Sequence, residues 1–464
     1  MRGLSRHLSE RTRWKSIASL LAGACLGTGM VAAHAGSLLE PGTTTYTSEL
    51  LSDVPLEIGA AHTLVLDTED SSFLLEAPLI NHGVVHVAAT GQYGEALVLS
   101  SAAQTNRGQW IVDNWVRMYL EGGLDNHGGV FQIGANSSVL STTQSIVGGR
   151  IHGVANTSNL SAHNLRDVTI TGQVNLIPWK LPQGATTPGT VGGTLTVDGT
   201  LRVAAVNLSE STLLRGTGRT LLNNATIGAA PGVMAPKLTI EAGHTLSGTG
   251  HITDVSLLNQ GMVEVNASEQ LRGDSTIVQE GDDARLDVKG TLQAPEIQIK
   301  GGVIELDKES YVEGGVDVQK GRLVLHELQL DSDGWAYQPP VIHGNLSLSD
   351  QSEVEVIVKD GLPIAIVDVW GEASLGGDLI ISFVDGAKVP STFDLLFEAS
   401  SVQGAFRSIR VNGAGGLPWT FIQQRNGAVE IAMVPEPETW GLMLCGLGVV
   451  AWRLRRRTAH QTVH

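Results

Sequence analysis

The sequence predicts an all-β protein built as a solenoid of stacked coils, and three observations support this prediction. Short runs of Val, Ile, Leu and Thr alternate with polar residues, which is the pattern of half-buried strands. Glycine is abundant, with 56 residues, whereas aromatic residues make up only 5% of the chain, as expected for short strands joined by tight turns. LRGTG at residues 214–218 recurs as LSGTG at residues 246–250, an offset of 32 residues typical of stacked repeats. Antiparallel β-sandwiches are the competing architecture, but a sandwich needs no such repeat.

Residues 1–35 predict a secretory signal peptide. A basic start precedes an apolar stretch at residues 17–33, and Ala33 and Ala35 form an A-x-A signal peptidase site. Because the start has no twin arginine, export through the Sec route is expected. A rival interpretation makes Cys25 a lipid-modified residue, but the apolar character continues past it into a better cleavage site.

Residues 36–370 are predicted to form the repetitive body. Three segments share the form apolar residue, Asn, polar residue, Gly, strand, and they are centred on Asn81, Asn126 and Asn259. Asn and Gly both tolerate positive φ, so each segment predicts a turn. The copy at Asn126 slips in register, since its sixth following position is Gln132 rather than an apolar residue. Further strands are predicted at residues 194–198, 285–289, 296–300, 303–307, 316–319, 322–326 and 353–359.

Two segments interrupt this pattern. Residues 177–193 contain three prolines and several turn formers, which predicts a protruding loop or a boundary, and residues 331–340 form a second interruption. The residue pattern changes again near residue 371, after which the apolar runs are longer and contain most of the phenylalanines. We expect residues 371–433 to form a β segment that closes the core at the C-terminal end.

These features resemble the right-handed parallel β-helix of secreted bacterial adhesins and autotransporter passengers. In such chains Gly-Thr-Gly followed by an Asn turn is common, and a β segment often closes the last coil. The resemblance implies a right-handed parallel β-helix with a C-terminal β cap and an elongated shape.

The last part of the chain, residues 434–457, has three parts in a fixed order. Pro435, Glu436 and Pro437 predict an extended and accessible segment. The apolar run at residues 440–452 predicts a short transmembrane helix, which would cover roughly 20 Å of a hydrocarbon core about 30 Å thick. A basic cluster follows, made of Arg453, Arg455, Arg456 and Arg457. It should stop export and stay on the cytoplasmic side, together with a tail at residues 458–464.

This order resembles the PEP-CTERM sorting signal. The resemblance covers only these 24 residues and implies a secreted protein of an exopolysaccharide-producing Gram-negative bacterium. Such a protein is held briefly in the inner membrane with its body in the periplasm. An exosortase then cuts it near Pro-Glu-Pro, and the protein passes to the cell surface or the medium. An ordinary C-terminal anchor is the alternative interpretation.

Charge and cysteine content narrow the possible partners. The net charge of −17 disfavours binding to nucleic acid and to anionic lipid. The two cysteines, Cys25 and Cys445, lie in the two hydrophobic terminal segments, so the body has no disulfide and must be stabilised by core burial.

No sequence pattern predicts a metal ion or another cofactor. His82 and His127 occupy the same place in two Asn-x-Gly turns, and we interpret them as solvated turn residues rather than as a metal-binding ladder. Asp331 begins an acidic turn that looks like a calcium loop, but position twelve is Ile342, which excludes an EF-hand.

A noncatalytic surface or matrix protein is therefore the leading hypothesis, and a β-helix polysaccharide lyase or glycosidase is the alternative. The acidic residues, such as Asp287, Glu305 and Asp317, are scattered over alternating strand positions. An exposed groove holding close carboxylates with a Lys or Arg would favour an enzyme. Trp179 and Trp335 lie in proline-flanked loops, where an exposed ring could stack on a sugar, although packing on the solenoid is the more ordinary role.

Overall fold

The computed structural model describes the chain in segments. The described residues are 38–39, 41–47, 49–68, 72–89, 96–180, 186–326, 338–359, 364–385, 389, 392–413, 419–423, 428–433, 445 and 447–453. The predicted signal peptide, including Ala33 and Ala35, lies outside these residues.

Most of the described chain is β-strand, joined by turns. Its N-terminal strands are β1 Leu38–Leu39, β2 Gly42–Tyr46, β3 Glu49–Leu50, β4 Leu56–Ile58, β5 His62–Asp67, β6 Ser72–Leu75, β7 Leu79–Asn81, β8 Val84–Ala88, β9 Ala96–Ser100, β10 Gln104–Asn106, β11 Gln109–Val112, β12 Val116–Leu120, β13 Leu124–Asp125, β14 Val130–Ile133, β15 Ser138–Val147, β16 Arg150–Gly153, β17 Asn159–Arg166 and β18 Thr169–Leu176. A two-stranded antiparallel hairpin outside the main sheet follows, with strands β19 Trp179–Lys180 and β20 Thr186–Thr187.

The remaining strands complete the main sheet. They are β21 Gly189–Val197, β22 Thr200–Arg215, β23 Arg219–Ala229, β24 Lys237–Ile240, β25 Thr245–Thr253, β26 Ser256–Asn259, β27 Met262–Val265, β28 Gln270–Gly273, β29 Ile277–Gln279, β30 Arg285–Val288, β31 Thr291–Ile299, β32 Val303–Leu306, β33 Tyr311–Val318, β34 Gly321–His326, β35 Val341–Ile342, β36 Leu346–Leu348, β37 Ser352–Val358, β38 Ile364–Leu375, β39 Asp378–Phe383, β40 Thr392–Gly404, β41 Ser408–Asn412, β42 Trp419–Gln423 and β43 Val429–Met433.

Parallel pairing between strands of successive coils builds three stacks, and this confirms the predicted parallel solenoid architecture. Stack 1 begins β1, β4, β7, β10 and β13. Stack 2 begins β2, β5, β8, β11 and β14, and stack 3 begins β3, β6, β9 and β12. From β15 onward, long strands bend at a corner and serve two stacks, so that β15 shifts register between Ser141 and Ser145. About 17 coils at a strand spacing of roughly 4.8 Å give a rod on the order of 80 Å long.

The core is a set of aliphatic and aromatic columns inside the three stacks. In stack 2, Leu64, Val85, Trp110, Phe131 and Ile151 occupy one register position and are all 0% exposed. Burial alternates along single strands, as in β5 and β37. The apolar and polar alternation read from the sequence therefore separates the core from the surface.

Pairing changes character at the C-terminal end. The parallel stacks continue past residue 371 to β41, whereas β43 pairs antiparallel with both β40 and β42. Phe383 packs within 6.5 Å of Phe393 and 6.0 Å of Trp419, measured between ring centroids, and Phe393 is fully buried. The phenylalanine-rich segment thus supplies core aromatics at this end of the rod.

A short helix is the last described element. Cys445 and residues 447–453 are helical, and the rest of the predicted membrane segment lies outside the described residues. Among the residues that the structure describes, no helix is long and apolar enough to cross a membrane.

The 32-residue repeat is not the period of a coil. Gly216 and Gly218 lie at the turn between stack 2 and stack 3, whereas Gly248 and Gly250 lie within β25, where the chain bends from stack 3 to stack 1. The register partner of Gly248 in the preceding coil is Leu222. The repeat therefore pointed to the right architecture through residues that are not structurally equivalent.

Candidate functional site

Of the predicted sorting residues, the structure describes only Arg453. Pro435, Glu436 and Pro437 lie outside the described residues, as do Arg455, Arg456 and Arg457. Arg453 is the last described residue, and it is exposed at the end of the short helix. These residues remain a prediction from the sequence pattern.

The Asn-x-Gly turns form an internal amide ladder at the corner between stacks 1 and 2. Asn81, Asn106 and Asn126 are each 0% exposed. The Nδ2 of Asn81 donates to Oδ1 of Asn106 at 2.7 Å, and the Nδ2 of Asn106 donates to Oδ1 of Asn126 at 2.7 Å. Each amide also donates to a backbone carbonyl of the next coil, such as that of Val130 at 3.1 Å from Asn106. This ladder ties four coils together through buried side chains.

A second, shorter ladder lies at the corner between stacks 2 and 3. Asn259 donates from Nδ2 to Oε1 of Gln279 at 3.0 Å, and Gln279 donates to the carbonyls of Gly301 and Val303, each at 3.0 Å. The third Asn-x-Gly segment therefore forms a turn, as predicted, but it occupies a different corner from the other two.

Glycine in these turns is required by close approach rather than by positive φ. A Cβ on Gly83 would lie 2.3 Å from the carbonyl oxygens of Gly59 and His62 in the preceding coil. Gly261 stands in the same relation to the turn that ends at His244. Gly128 differs, since it has a φ of +76° and open space around it. It is one extra residue in its turn, and this explains the register slip seen at Gln132.

His82 and His127 lie at the same corner, as predicted, with Arg107 at the equivalent position of the coil between them. Nη2 of Arg107 lies 2.6 Å from Oδ2 of Asp125, and Nδ1 of His127 lies 2.6 Å from Oδ1 of Asp125. Hydrogen bonding to Arg107 holds the pKa of Asp125 far below its usual range and raises the pKa of the guanidinium. Within the described segments, no group of three His, Cys, Asp or Glu side chains could hold a metal ion.

A buried histidine lies under the second ladder. His244 is 0% exposed, and its Nε2 lies 3.0 Å from Oγ1 of Thr220. Burial disfavours the imidazolium and lowers the pKa of His244 to about 4. The folded protein thus holds a neutral imidazole here over a pH range in which the unfolded chain would protonate it.

Because the folded pKa of His244 is depressed, its contribution to stability is complete above about pH 6.5 and is lost as the pH falls towards 4. We expect the free energy of unfolding lost between pH 7.5 and pH 4.5 to be smaller in His244→Gln by about 2.5 kcal/mol. Urea unfolding at the two pH values, followed by circular dichroism, measures this difference. His163→Gln, at an exposed histidine on β17, is the control and should leave the pH dependence unchanged. Equal pH dependence in His244→Gln and the unmodified chain would contradict the argument.

Carboxylates and arginines form a charged face on stack 3, on strands β34, β37, β39 and β41. Arg322 lies 2.8 Å from Glu355 and 3.1 Å from Glu353, measured between guanidinium nitrogen and carboxylate oxygen. Arg410 lies 3.5 Å from both Glu353 and Asp378. Strand register produces this clustering, since Arg322, Glu353 and Asp378 are successive partners across the stack. The sequence alone did not reveal it.

Two carboxylates of stack 3 have pKa values that hydrogen-bonded partners lower. The pKa of Asp378 is lowered, chiefly by a hydrogen bond from Arg407, and that of Glu305 is lowered, chiefly by His326, whose Nε2 lies 3.0 Å away. A glycosidase needs one carboxylic acid with a raised pKa to protonate the leaving group. The described carboxyl groups with perturbed pKa values shift downward only, at Asp125, Asp274, Glu305 and Asp378.

Three rings from successive coils form what we call the aromatic ledge on stack 1: Tyr311, His343 and Trp370. The ring centroids of Tyr311 and His343 are 6.1 Å apart and stacked, and those of His343 and Trp370 are 4.3 Å apart, edge to face. Trp370 is 59% exposed, and its indole Nε1 donates to Oδ2 of Asp368 at 3.2 Å. A large exposed indole held in place by a carboxylate is unusual for a position with only a packing role.

Sequence reasoning missed the ledge because the residues that form it are far apart in the chain. The segment between β34 and β35 separates Tyr311 from His343. The available signal was local, since Asp368 and Trp370 sit on the outward positions of an alternating strand. Trp335, one of the two tryptophans singled out from the sequence, lies outside the described residues together with Asp331, and so does the side chain of Trp179.

Comparison with known proteins adds no relative, because no protein-family model, curated protein or solved structure matches this chain.

Proposed function

We propose that this chain is a secreted, noncatalytic structural or adhesin-like protein of a bacterial cell surface or extracellular matrix. The observation that carries the proposal is the parallel solenoid, in which three stacks enclose a buried apolar core. An elongated rod with only neighbour contacts suits a spacer or display role. The finer form we propose is a right-handed β-helix, with the antiparallel strands β42 and β43 acting as its C-terminal cap.

The sorting route belongs to the same proposal. The signal peptide pattern supports Sec export, and the ordered Pro-Glu-Pro, apolar run and arginines support recognition by an exosortase after transient retention in the inner membrane. Exopolysaccharide is the proposed extracellular partner. The net charge of −17 disfavours nucleic acid as a partner.

Changing Pro435, Glu436 and Pro437 together to alanine should block processing. The substitution removes the recognition element but leaves the apolar run and arginines, so we expect uncleaved protein to accumulate in the inner membrane. Membrane fractionation with immunoblotting measures this, and mass spectrometry of the native released protein should place its C-terminus near Pro435. Glu438→Ala, just beyond the motif, is the control. Released native protein that retains Arg457 would show that no exosortase acts on it.

One observation favours a second candidate, a β-helix polysaccharide lyase or glycosidase. The charged face of stack 3 places Glu353, Glu355 and Asp378 near Arg322 and Arg410, which are the residue types such enzymes use. The lowered pKa of Asp378 and the ion pairing weigh against a general acid. An assay for new reducing ends or unsaturated sugars, with Glu355→Gln as the inactive comparison, decides between the two functions.

A further inference from the structure

We propose that the aromatic ledge is a binding site for an uncharged polysaccharide chain. The inference rests on the proposed matrix function and deepens it by naming the ligand class and the residues that hold it. The ledge is separate from the charged face, because Tyr311, His343 and Trp370 belong to stack 1 and Arg322 and Glu355 belong to stack 3.

The three rings form one contiguous aromatic surface, in which Tyr311 and His343 are stacked and Trp370 meets His343 edge to face. They come from β33, from the residue after β35 and from β38, which are consecutive in stack 1. His343 and Trp370 share a register position and Tyr311 lies two residues earlier, so the rings follow an oblique line across three coils. With a coil spacing of roughly 4.8 Å, three coils extend about 10 Å along this line. An elongated ligand fits such a line better than a compact one. The C–H face of a pyranose ring packs on an indole or phenol face in the same way as other apolar surface.

Carboxylates frame the ledge and account for the polar half of the recognition. Asp368 holds the Trp370 indole and is the register partner of Val341, which in turn pairs with Tyr311. Glu313 is on the same outward side of β33 as Tyr311, and the exposed Glu398 pairs with Asp368. Carboxylate oxygens accept hydrogen bonds, so this frame suits the hydroxyl donors of a sugar.

Charge selects among possible ligands. An anionic polymer such as a uronate chain or a nucleic acid would meet Glu313, Asp368 and Glu398 around the rings, and the chain as a whole is acidic at −17. An uncharged polysaccharide avoids this repulsion and still provides hydroxyl donors. A second copy of the protein would bring the same carboxylates against each other, which disfavours self-association through the ledge.

Affinity gel electrophoresis of the full chain in nonionic detergent tests the proposal, with hydroxyethylcellulose, galactomannan or alginate cast in the gel. We expect retardation by at least one of the two uncharged polymers and none by alginate. Trp370→Ala should raise the apparent Kd for the polymer about tenfold, and His343→Ala should raise it less. Trp115→Ala is the matched control, because Trp115 is 58% exposed and lies at a corner far along the chain from the ledge. Circular dichroism should be unchanged in all three variants.

Three results would overturn the ledge as a sugar site. These are no retardation by either uncharged polymer, equal retardation of the native chain and Trp370→Ala, or a Trp370→Ala effect on sedimentation alone, which would indicate contact between two copies. None of these results bears on sorting, which processing at Pro435 tests separately. If the protein reaches the matrix but binds neither polymer, the ledge is not a sugar site, and the proposed function still stands.

Discussion

Replacing Asn106 by alanine is expected to lower the free energy of unfolding by about 4 kcal/mol. The Asn106 side chain accepts from Asn81 and donates to Asn126 and to the carbonyl of Val130, at distances between 2.7 and 3.1 Å. Alanine leaves the Oδ1 of Asn126 without its donor in a site from which water is excluded. Each buried polar group left unpaired costs about 1–3 kcal/mol, and the lost side-chain volume adds a cavity.

Urea unfolding followed by far-ultraviolet circular dichroism measures the change as a lower midpoint. Asn156→Ala is the control, since Asn156 lies at another corner away from the ladder and should shift the free energy of unfolding by less than about 0.5 kcal/mol. Equal midpoints for the two variants would show that the amide ladder contributes little to stability.

The second large effect is expected for Gly83→Ala, at about 3 kcal/mol or more of lost stability. The new Cβ would lie 2.3 Å from two backbone oxygens, those of Gly59 and His62, and neither can move without displacing its coil. Overpacking against side chains is usually relieved by rotamer changes, but backbone carbonyls in a hydrogen-bonded turn offer no such relief.

Gly128→Asn separates steric approach from backbone freedom. Gly128 has a φ of +76°, and no heavy atom lies within 4 Å of the position that a Cβ would take there. Because asparagine tolerates positive φ, we expect a change of less than about 1 kcal/mol. Thermal unfolding of both variants gives the comparison. If Gly83→Ala unfolded at the same temperature as the native chain, the turn would have room for a Cβ after a small shift of the coil, and the argument from close approach would be wrong.

The fold class followed from the sequence because its cause is local. Alternation of apolar and polar residues decides which side chains face the core, and it is confirmed in strands such as β5 and β37. The turn at Asn81 was also predictable, because Asn-x-Gly has few other uses in a β-rich chain. The need for glycine at position 83 was not predictable. It comes from the close approach of carbonyl oxygens that lie about 20 residues earlier in the chain.

The candidate sites depended on coil register, which the sequence does not display. Coil length varies, so Tyr311 and His343 are adjacent in space although the segment after β34 lies between them. The ion pairs of Arg322 arise in the same way, because Glu353 is its register partner and Glu355 lies two residues further along β37. The 32-residue repeat does not reveal these register partners, because its two copies lie at different corners of the coil.

The hairpin of β19 and β20 has a consequence for how such a protein can diversify. The chain leaves the rod after β18 and returns at β21, yet β17 and β18 still pair with β21 in register. An insertion at a corner therefore changes the surface without disturbing the ladder beneath it. Insertions at corners can therefore vary independently of the number of coils. The length of the rod and the chemistry of its surface can change separately.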